Sequence, residues 1–267
     1  MSTNILAKIV ASKFSEVAER KKQISIGKLE AMPLFEKAGY SLKTNLVDPN
    51  KTGIIAEFKR QSPSKGIINN TALVHEVTKA YSDFGASGIS VLTDAQFFGG
   101  SLDDLTIAIK NTTPVLRKEF IIDEFQIIEA KAYGASVILL IAACLTPKET
   151  ALLAATAKAL GMEVLLEIHD ATEIGHISEE VDFVGVNNRS LKSFEVNIEH
   201  SLQLRSQLPK NKLSIAESGI YDMATFQLLK KEGFDGFLMG EYFMKQADPA
   251  KAFELFVSQI KSSSNAI

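Results

Sequence analysis

Cysteine is nearly absent. Cys144 stands alone in the 267 residues, so no internal disulfide can form, and a reducing, cytoplasmic compartment is the expectation. Long apolar runs are also missing. The longest, Val137 to Leu145, falls far short of the ~20 residues that span a bilayer. The opening MSTNILAKIVASKFSEVAERKK mixes charges into its apolar positions. It offers neither a continuous apolar core nor a small-residue cleavage site, which argues against a secretory signal. No excess of one charge exists: the net charge is −3, so nothing draws the chain generally to nucleic acid or acidic membranes. Any bound anion needs a local site. The four histidines, His75, His169, His176 and His200, form no HxH or HExxH spacing, and no metal site is expected. The first apolar run leads into KRQSPSKG rather than GxGxxG, against an open dinucleotide-binding sheet. No linker or low-complexity segment divides the chain, so residues 1–267 read as one domain.

What is present is a repeat of short apolar runs. They are GIIAEF (53–58), GISVL (88–92), PVLRK (114–118), SVILLIA (136–142), EVLLEI (163–168), FVGVN (183–187), LSIAE (213–217) and GFLMG (236–240). Near-continuous apolar character suits parallel strands buried on both faces, and the spacing is that of βα units. Helix starts are marked by Thr146-Pro147-Lys148-Glu149, a capping box with Pro at the first helical position, and by Ser101, Asp123 and Asp222. Gly85, Gly134, Gly161 and Gly233 sit where helices should stop. Eight units predict an α/β fold, a (β/α)₈ TIM barrel, over residues 51–262, with an N-terminal helical extension over 1–50 and a polar tail over 263–267. In the extension Ile5, Ile9, Val10, Phe14 and Val17 recur at helical spacing, and a short second helix is expected over Leu34 to Lys37. This extension either plugs one end of the barrel or walls a pocket, or does both.

Active sites of such barrels lie at the C-terminal ends of the strands. Those ends carry Glu57 and Lys59 on one face of the first strand, Arg117-Lys118-Glu119 on the third, Glu167 on the fifth, Asn187-Asn188-Arg189 on the sixth and Glu217-Ser218-Gly219 on the seventh. Charge at this density is costly unless it pairs or binds something. A lysine–carboxylate rim suits acid–base chemistry, because neighbours shift each other's pKa in opposite directions. A buried ion pair closing the barrel top is the alternative for Glu57 and Lys59. Gly219 and Gly240 follow strands seven and eight, where barrels bind phosphate; ordinary turn glycines are the alternative. Glu241 beside Gly240 is an odd neighbour for an anion, and its backbone N–H is expected to serve while its carboxylate turns away. Cys144 reads as a small buried apolar residue rather than a nucleophile.

At this point a family resemblance is evident. IAEFKRQSPSKG (55–66) resembles the first-strand signature of the indole-3-glycerol-phosphate synthases. FFGGSLDDL (97–105), PVLRKEF (114–120), LLEIHD (165–170), VGVNNRSL (184–191), AESGI (216–220) and FLMGEYFM (237–244) agree in order along the whole barrel. Glu119, where Asp is also common, and Glu241, where small residues often occur, are the departures. The resemblance implies a cofactor-free lyase of tryptophan biosynthesis, with a phosphorylated small molecule as its partner; a monomer is the expected state, which no residue of the sequence specifies. It would convert 1-(2-carboxyphenylamino)-1-deoxy-D-ribulose 5-phosphate to indole-3-glycerol phosphate, carbon dioxide and water. It implies Lys118 as general acid, Glu167 and Glu57 as bases, and Lys59 as second acid or phosphate ligand. Asn187 and Arg189 would orient substrate. Ser62, Glu217, Ser218, Gly219, Gly240 and Glu241 would surround the phosphate or glycerol chain, and Phe97, Phe120, Leu139 and Leu191 would wall the aromatic ring or simply pack the barrel top. A phosphoribosylanthranilate isomerase would instead want a Cys base where Glu57 and Lys59 stand. A non-catalytic ligand-binding barrel would have no need of the full acid–base set.

Overall fold

A computed structural model describes residues 5–189 and 195–264. Each of the eight apolar runs is a strand: β1 Ile54–Phe58, β2 Gly88–Leu92, β3 Val115–Lys118, β4 Val137–Ile141, β5 Glu163–Ile168, β6 Phe183–Asn187, β7 Leu213–Glu217 and β8 Gly236–Met239. All pair in parallel with their chain neighbours, and β1 pairs with β8, which closes the barrel. Strand edges are thereby removed, and each strand is buried on both faces.

Alternation along the strands makes two cores. Inward side chains such as Ile55, Leu116, Leu139, Leu165, Phe183 and Ile215 fill the barrel. Outward ones such as Ile54, Phe58, Val91, Leu140 and Val184 pack under the surrounding helices. Each such buried side chain contributes about 1.5–3 kcal/mol. The helix starts fall where expected. Thr146 and Asp123 each make a reciprocal capping box, while Ser101 and Asp222 accept from the backbone N–H three residues on. Gly85, Gly134, Gly161 and Gly233 all take positive φ at helix ends, a conformation only glycine adopts without penalty. After β5 a 3₁₀ turn over Ala171–His176 stands in place of an α-helix; the short connection to β6 leaves room for little more.

The extension differs from its expectation in two respects. Its first helix, α1, runs Ile5–Gln23 and buries Leu6, Ile9, Lys13 and Val17, while Phe14 is 63% exposed. The stripe thus turns slightly from the one read in sequence, because the barrel rim offers carboxylates to Lys13. The expected helix at Leu34 to Lys37 is instead a pair of turns, closed by Phe35 N–H to the Met32 carbonyl and Lys37 N–H to the Leu34 carbonyl. Pro33 and Gly39 leave too few residues between them for a regular helix. Short helices form at Ile26–Glu30 and Leu42–Val47. The latter plugs the barrel bottom: Leu42 and Leu46 fill the space left by Gly88 and Gly236, where a Cβ would lie 2.8 Å and 2.9 Å from them.

Candidate active site

The strands end together at the opposite rim, and their last inward side chains converge. Lys59 Nζ lies 2.5 Å from Glu57 Oε1 beyond the end of β1. Phe58 and Arg60 face outward, with Arg60 over the Phe58 ring and paired to Asp104. From β3, Lys118 Nζ reaches Glu217 Oε2 on β7 at 2.8 Å and Glu167 Oε2 on β5 at 3.4 Å. Glu217, not Glu167, is therefore the nearer partner of Lys118. Asn187 donates from Nδ2 to Glu167 Oε1 at 2.9 Å, and its Oδ1 accepts the Arg189 N–H at 2.9 Å. That fixes both the amide and the Glu167 carboxylate it addresses.

Electrostatics follow from this packing. Burial works against the Lys118 charge, but Glu217, Glu167 and Glu57 outweigh it and hold the ammonium above the ordinary lysine range. Burial also pushes the Glu57 carboxyl up, and Lys59 and Lys118 more than reverse this, leaving it below the usual range. Burial of Glu217 is the dominant force on that group; with Glu167 and Glu57 adding repulsion and Lys118 opposing, its carboxyl is pushed up to about 7. Glu217 Oε1 has no hydrogen-bond partner and fits above Gly185, where a Cβ would come within 2.0 Å of it. Glu217 does not line the cavity and acts on it through Lys118.

The cavity above these charges has three kinds of wall. One is apolar: Leu6 and Ile9 of α1, Phe98, Phe120, Leu139 and Ile141, with the Phe98 and Phe120 ring centroids 5.8 Å apart. Phe97 is not part of this wall. Asp94 caps the short helix Ala95–Phe98 by accepting the N–H of both phenylalanines, and that turn presents Phe98 to the cavity instead. Leu191 lies outside the described residues. A second wall is backbone-rich: Ser218-Gly219 after β7 and Gly240 after β8. Ser218 and Gly219 both adopt positive φ, 64° and 76°. A non-glycine residue there costs on the order of 1–3 kcal/mol, and Asn188 clamps the turn by donating to the carbonyls of Glu217 and Ser218. The third is the first loop, whose two-residue strands Gln61–Ser62 and Gly66–Ile67 pair as a hairpin and bring Ser62, Pro63 and Ser64 to the mouth.

Arg189 also lines the mouth. It donates to Tyr221 Oη at 2.8 Å and to Glu241 Oε2 at 3.0 Å, and Lys65 Nζ lies 3.8 Å from Glu241 Oε1. The Glu241 carboxylate thus does not turn away as expected; it engages a cationic residue of the site. Cys144 lies in a 3₁₀ turn after β4, and its thiol is pushed up to about 12 by burial, then by Glu167 and Glu173, a poor nucleophile. His169 does not line the cavity; it bonds the Asn187 carbonyl through Nδ1 and stands beside His200. Among the described residues no three His, Cys, Asp or Glu side chains cluster as a metal-binding group, and no helix is long and apolar enough to cross a membrane. Sequence reasoning missed Phe98, Ile141, Tyr221 and Leu6. Leu6 left a signal in its helical spacing with Ile9 and Val17, and Ile141 in standing two residues from Leu139 on one strand; Phe98 stood beside Phe97, and Tyr221 left none.

Comparisons with known proteins identify relatives of this chain. The family profile described as indole-3-glycerol phosphate synthase matches residues 6–256. An indole-3-glycerol phosphate synthase of Bacteroides thetaiotaomicron is 44% identical over 259 residues, covering 97% of this chain and 99% of the relative. One from Polynucleobacter asymbioticus is 41% identical over 272 residues, covering 95% and 99%. Among solved structures, tryptophan synthase subunit alpha from Legionella pneumophila superposes with a TM-score of 0.62 at 14% identity, covering 85% of this chain and 98% of its own. Thiamine phosphate pyrophosphorylase from Pyrococcus furiosus gives 0.54 at 15%, covering 79% and 98%. At such identities these two structures speak for the barrel alone.

Proposed function

The chain belongs to the indole-3-glycerol phosphate synthase family, and from that premise we propose how its side chains divide the reaction. The activity is that of a decarboxylating carbon–carbon lyase of tryptophan biosynthesis. Its substrate is 1-(2-carboxyphenylamino)-1-deoxy-D-ribulose 5-phosphate. The observation that carries the assignment of roles is the half-buried Lys118 ammonium, ringed by carboxylates at the floor of a cavity that is apolar on one side and backbone-lined on another.

In ring closure the aromatic carbon bearing the carboxylate attacks the ribulose C2 carbonyl. Lys118 gives its proton to the carbonyl oxygen as the carbon–carbon bond forms. An ammonium aimed at the developing alkoxide in a water-poor site stabilises it far better than solvent does. The carboxylate then leaves as carbon dioxide, and its bonding electrons restore the aromatic ring. In dehydration the new hydroxyl takes a proton and departs as water, while a base removes a proton from the neighbouring methylene carbon. Glu167, held by Asn187, is the base we assign to this step. Lys59, paired to Glu57, supplies the proton to the leaving hydroxyl. Over the whole reaction one proton is consumed as carboxylate becomes carbon dioxide, so the lysines are recharged from solvent.

The apolar wall of Leu6, Ile9, Phe98, Phe120 and Leu139 takes the anthranilate ring. Phosphate is assigned to the Ser218-Gly219 and Gly240-Glu241 backbone, with Ser62 and Arg189 nearby. We place the enzyme in the cytoplasm, as its lone, half-buried cysteine fits a reducing compartment, and we take its active form as a monomer. Incubation with the carboxyphenylamino-deoxyribulose phosphate should yield indole fluorescence. Silence at millimolar substrate with folded protein overturns the assignment.

A further inference from the structure

α1 carries a buried charge that no step above uses. Lys13 is fully buried. Its Nζ lies 2.7 Å from Glu16 Oε2, 2.8 Å from Asp94 Oδ2 and 3.0 Å from Glu119 Oε1. Burial disfavours the ammonium, but Glu119, Asp94 and Glu16 together outweigh it, so Lys13 remains charged. A buried ion cluster adds little net stability over apolar packing, and its best-attested use is to fix an arrangement.

Two of the three partners lead to the substrate cavity. Asp94 Oδ1 accepts the N–H groups of Phe97 and Phe98 at 2.6 Å and 3.1 Å, so it sets the turn that presents Phe98. Glu119 stands between Lys118 and Phe120. Its Oε1 also accepts the Phe120 N–H at 2.9 Å, and its Oε2 accepts the Thr93 hydroxyl at 2.7 Å, which in turn accepts Arg117 Nε at 3.1 Å. One ammonium therefore ties together α1, the loop after β2 and the end of β3. Those elements bring Leu6 and Ile9, Phe98, and Phe120 to the cavity.

We propose that Lys13 is a positioning residue for substrate: its ammonium holds α1 against the ends of β2 and β3, so that the apolar wall stays closed on the aromatic ring. Without it, Asp94 and Glu119 stand as neighbouring buried carboxylates, with Arg117 Nη2 at 4.0 Å from Glu119 Oε2 as the remaining cation, and α1 keeps the exposed Ser12 Oγ–Gln96 Oε1 hydrogen bond to the loop after β2 but loses its buried tie. Lys118 keeps its own partners, Glu217 and Glu167, so the chemistry is affected less than binding. The proposal rests on the functional reading above.

The test is steady-state kinetics on the full chain, with the carboxyphenylamino-deoxyribulose phosphate as substrate and indole fluorescence as readout. Inactive wild type overturns the functional reading and is seen before any variant is compared. With active wild type, Lys13→Met should raise KM about ten-fold or more while kcat stays within about three-fold. Lys13→Arg, which keeps the charge, should recover part of the loss. A folded Lys13→Met enzyme with wild-type KM overturns the proposal. So does an unchanged KM with kcat lowered in step with the unfolded fraction, which marks a merely structural role. Should Lys13→Met fail to fold by circular dichroism, Glu119→Gln decides: it weakens one arm of the tie, and a raised KM supports the proposal whereas an unchanged KM overturns it.

Discussion

At the scale of single residues, Lys118 and Glu217 are one unit. Replacing Lys118 by Met removes the proposed proton donor, and turnover should fall by about 10²–10⁴-fold; near-wild-type kcat would remove it from that role. Glu217 makes a prediction about pH. Its carboxyl titrates near 7 in the fold and near 4.5 when unfolded, so between those values the folded state binds more protons. Stability from this group is therefore fully present below about pH 4.5 and is lost as pH rises through about 7. Glu217→Gln does not titrate. Its melting temperature relative to wild type should climb from pH 5 to pH 8, and a flat difference would contradict the raised pKa. Gly240 gives a steric probe of Glu57. Its φ of −134° suits any residue, but a Cβ would lie 2.7 Å from Glu57 Oε1. A Cβ there would also lie 2.8 Å from the Glu57 Cβ, so Gly240→Ala should push Glu57 off Lys59 and force β1 and β8 apart locally, lowering both kcat and the melting temperature; an unchanged kcat would contradict the close approach.

At the scale of elements, strand positions were legible because the apolar runs are near-continuous and are bounded by glycine, charge or other polar residues, and burial on both faces removes the ambiguity of a half-exposed pattern. Helix starts were legible for the same local reason, since Asp123 and Thr146 satisfy backbone donors within their own turn. What was not legible depends on contacts far apart in the chain. Nothing in the sequence singles out Lys13 in α1; its burial follows from Asp94 and Glu119, which face it across the rim. The rim residues were legible as strand-end charges, and the Glu57–Lys59 pair from their shared face, but not which carboxylate Lys118 would take. That Lys118 lies closer to Glu217 than to Glu167 follows from the register that closes the barrel. Phe98 in place of Phe97 is set by one capped turn. The element-scale prediction concerns α1 as a wall. Leu6→Ala with Ile9→Ala removes two cavity-lining side chains, and KM should rise several-fold while kcat changes little. An unchanged KM would reduce α1 to a plug.

At the scale of the whole molecule, the two ends of the barrel do different work. The C-terminal rim concentrates poorly solvated charge of both signs and a positive-φ serine, which lower stability in exchange for chemistry. The bottom does the reverse. There Glu163, at the start of β5, accepts Ser41 Oγ at 2.6 Å and the Leu42 N–H at 2.6 Å, with the Lys43 N–H at 3.3 Å. It thereby caps the helix Leu42–Val47 whose Leu42 and Leu46 fill the space beside Gly88 and Gly236. This carboxylate satisfies orphan donors of a helix N-terminus and favours its dipole. Glu163→Ala leaves those donors to water and loosens the plug. The cost should be about 1–2 kcal/mol, or a melting-temperature drop of roughly 2–8 °C in a chain of this size. None of these groups lines the substrate cavity, so kcat and KM at a temperature where the variant is folded should match wild type. The two measurements separate the ends of the barrel. A change in KM without a change in melting temperature would mean that the bottom plug is coupled to the rim through the inner core of Ile55, Leu116, Leu165 and Ile215. Those side chains are packed too closely to shift independently, so the coupling would travel through them and the barrel would not divide into a stable end and a reactive one.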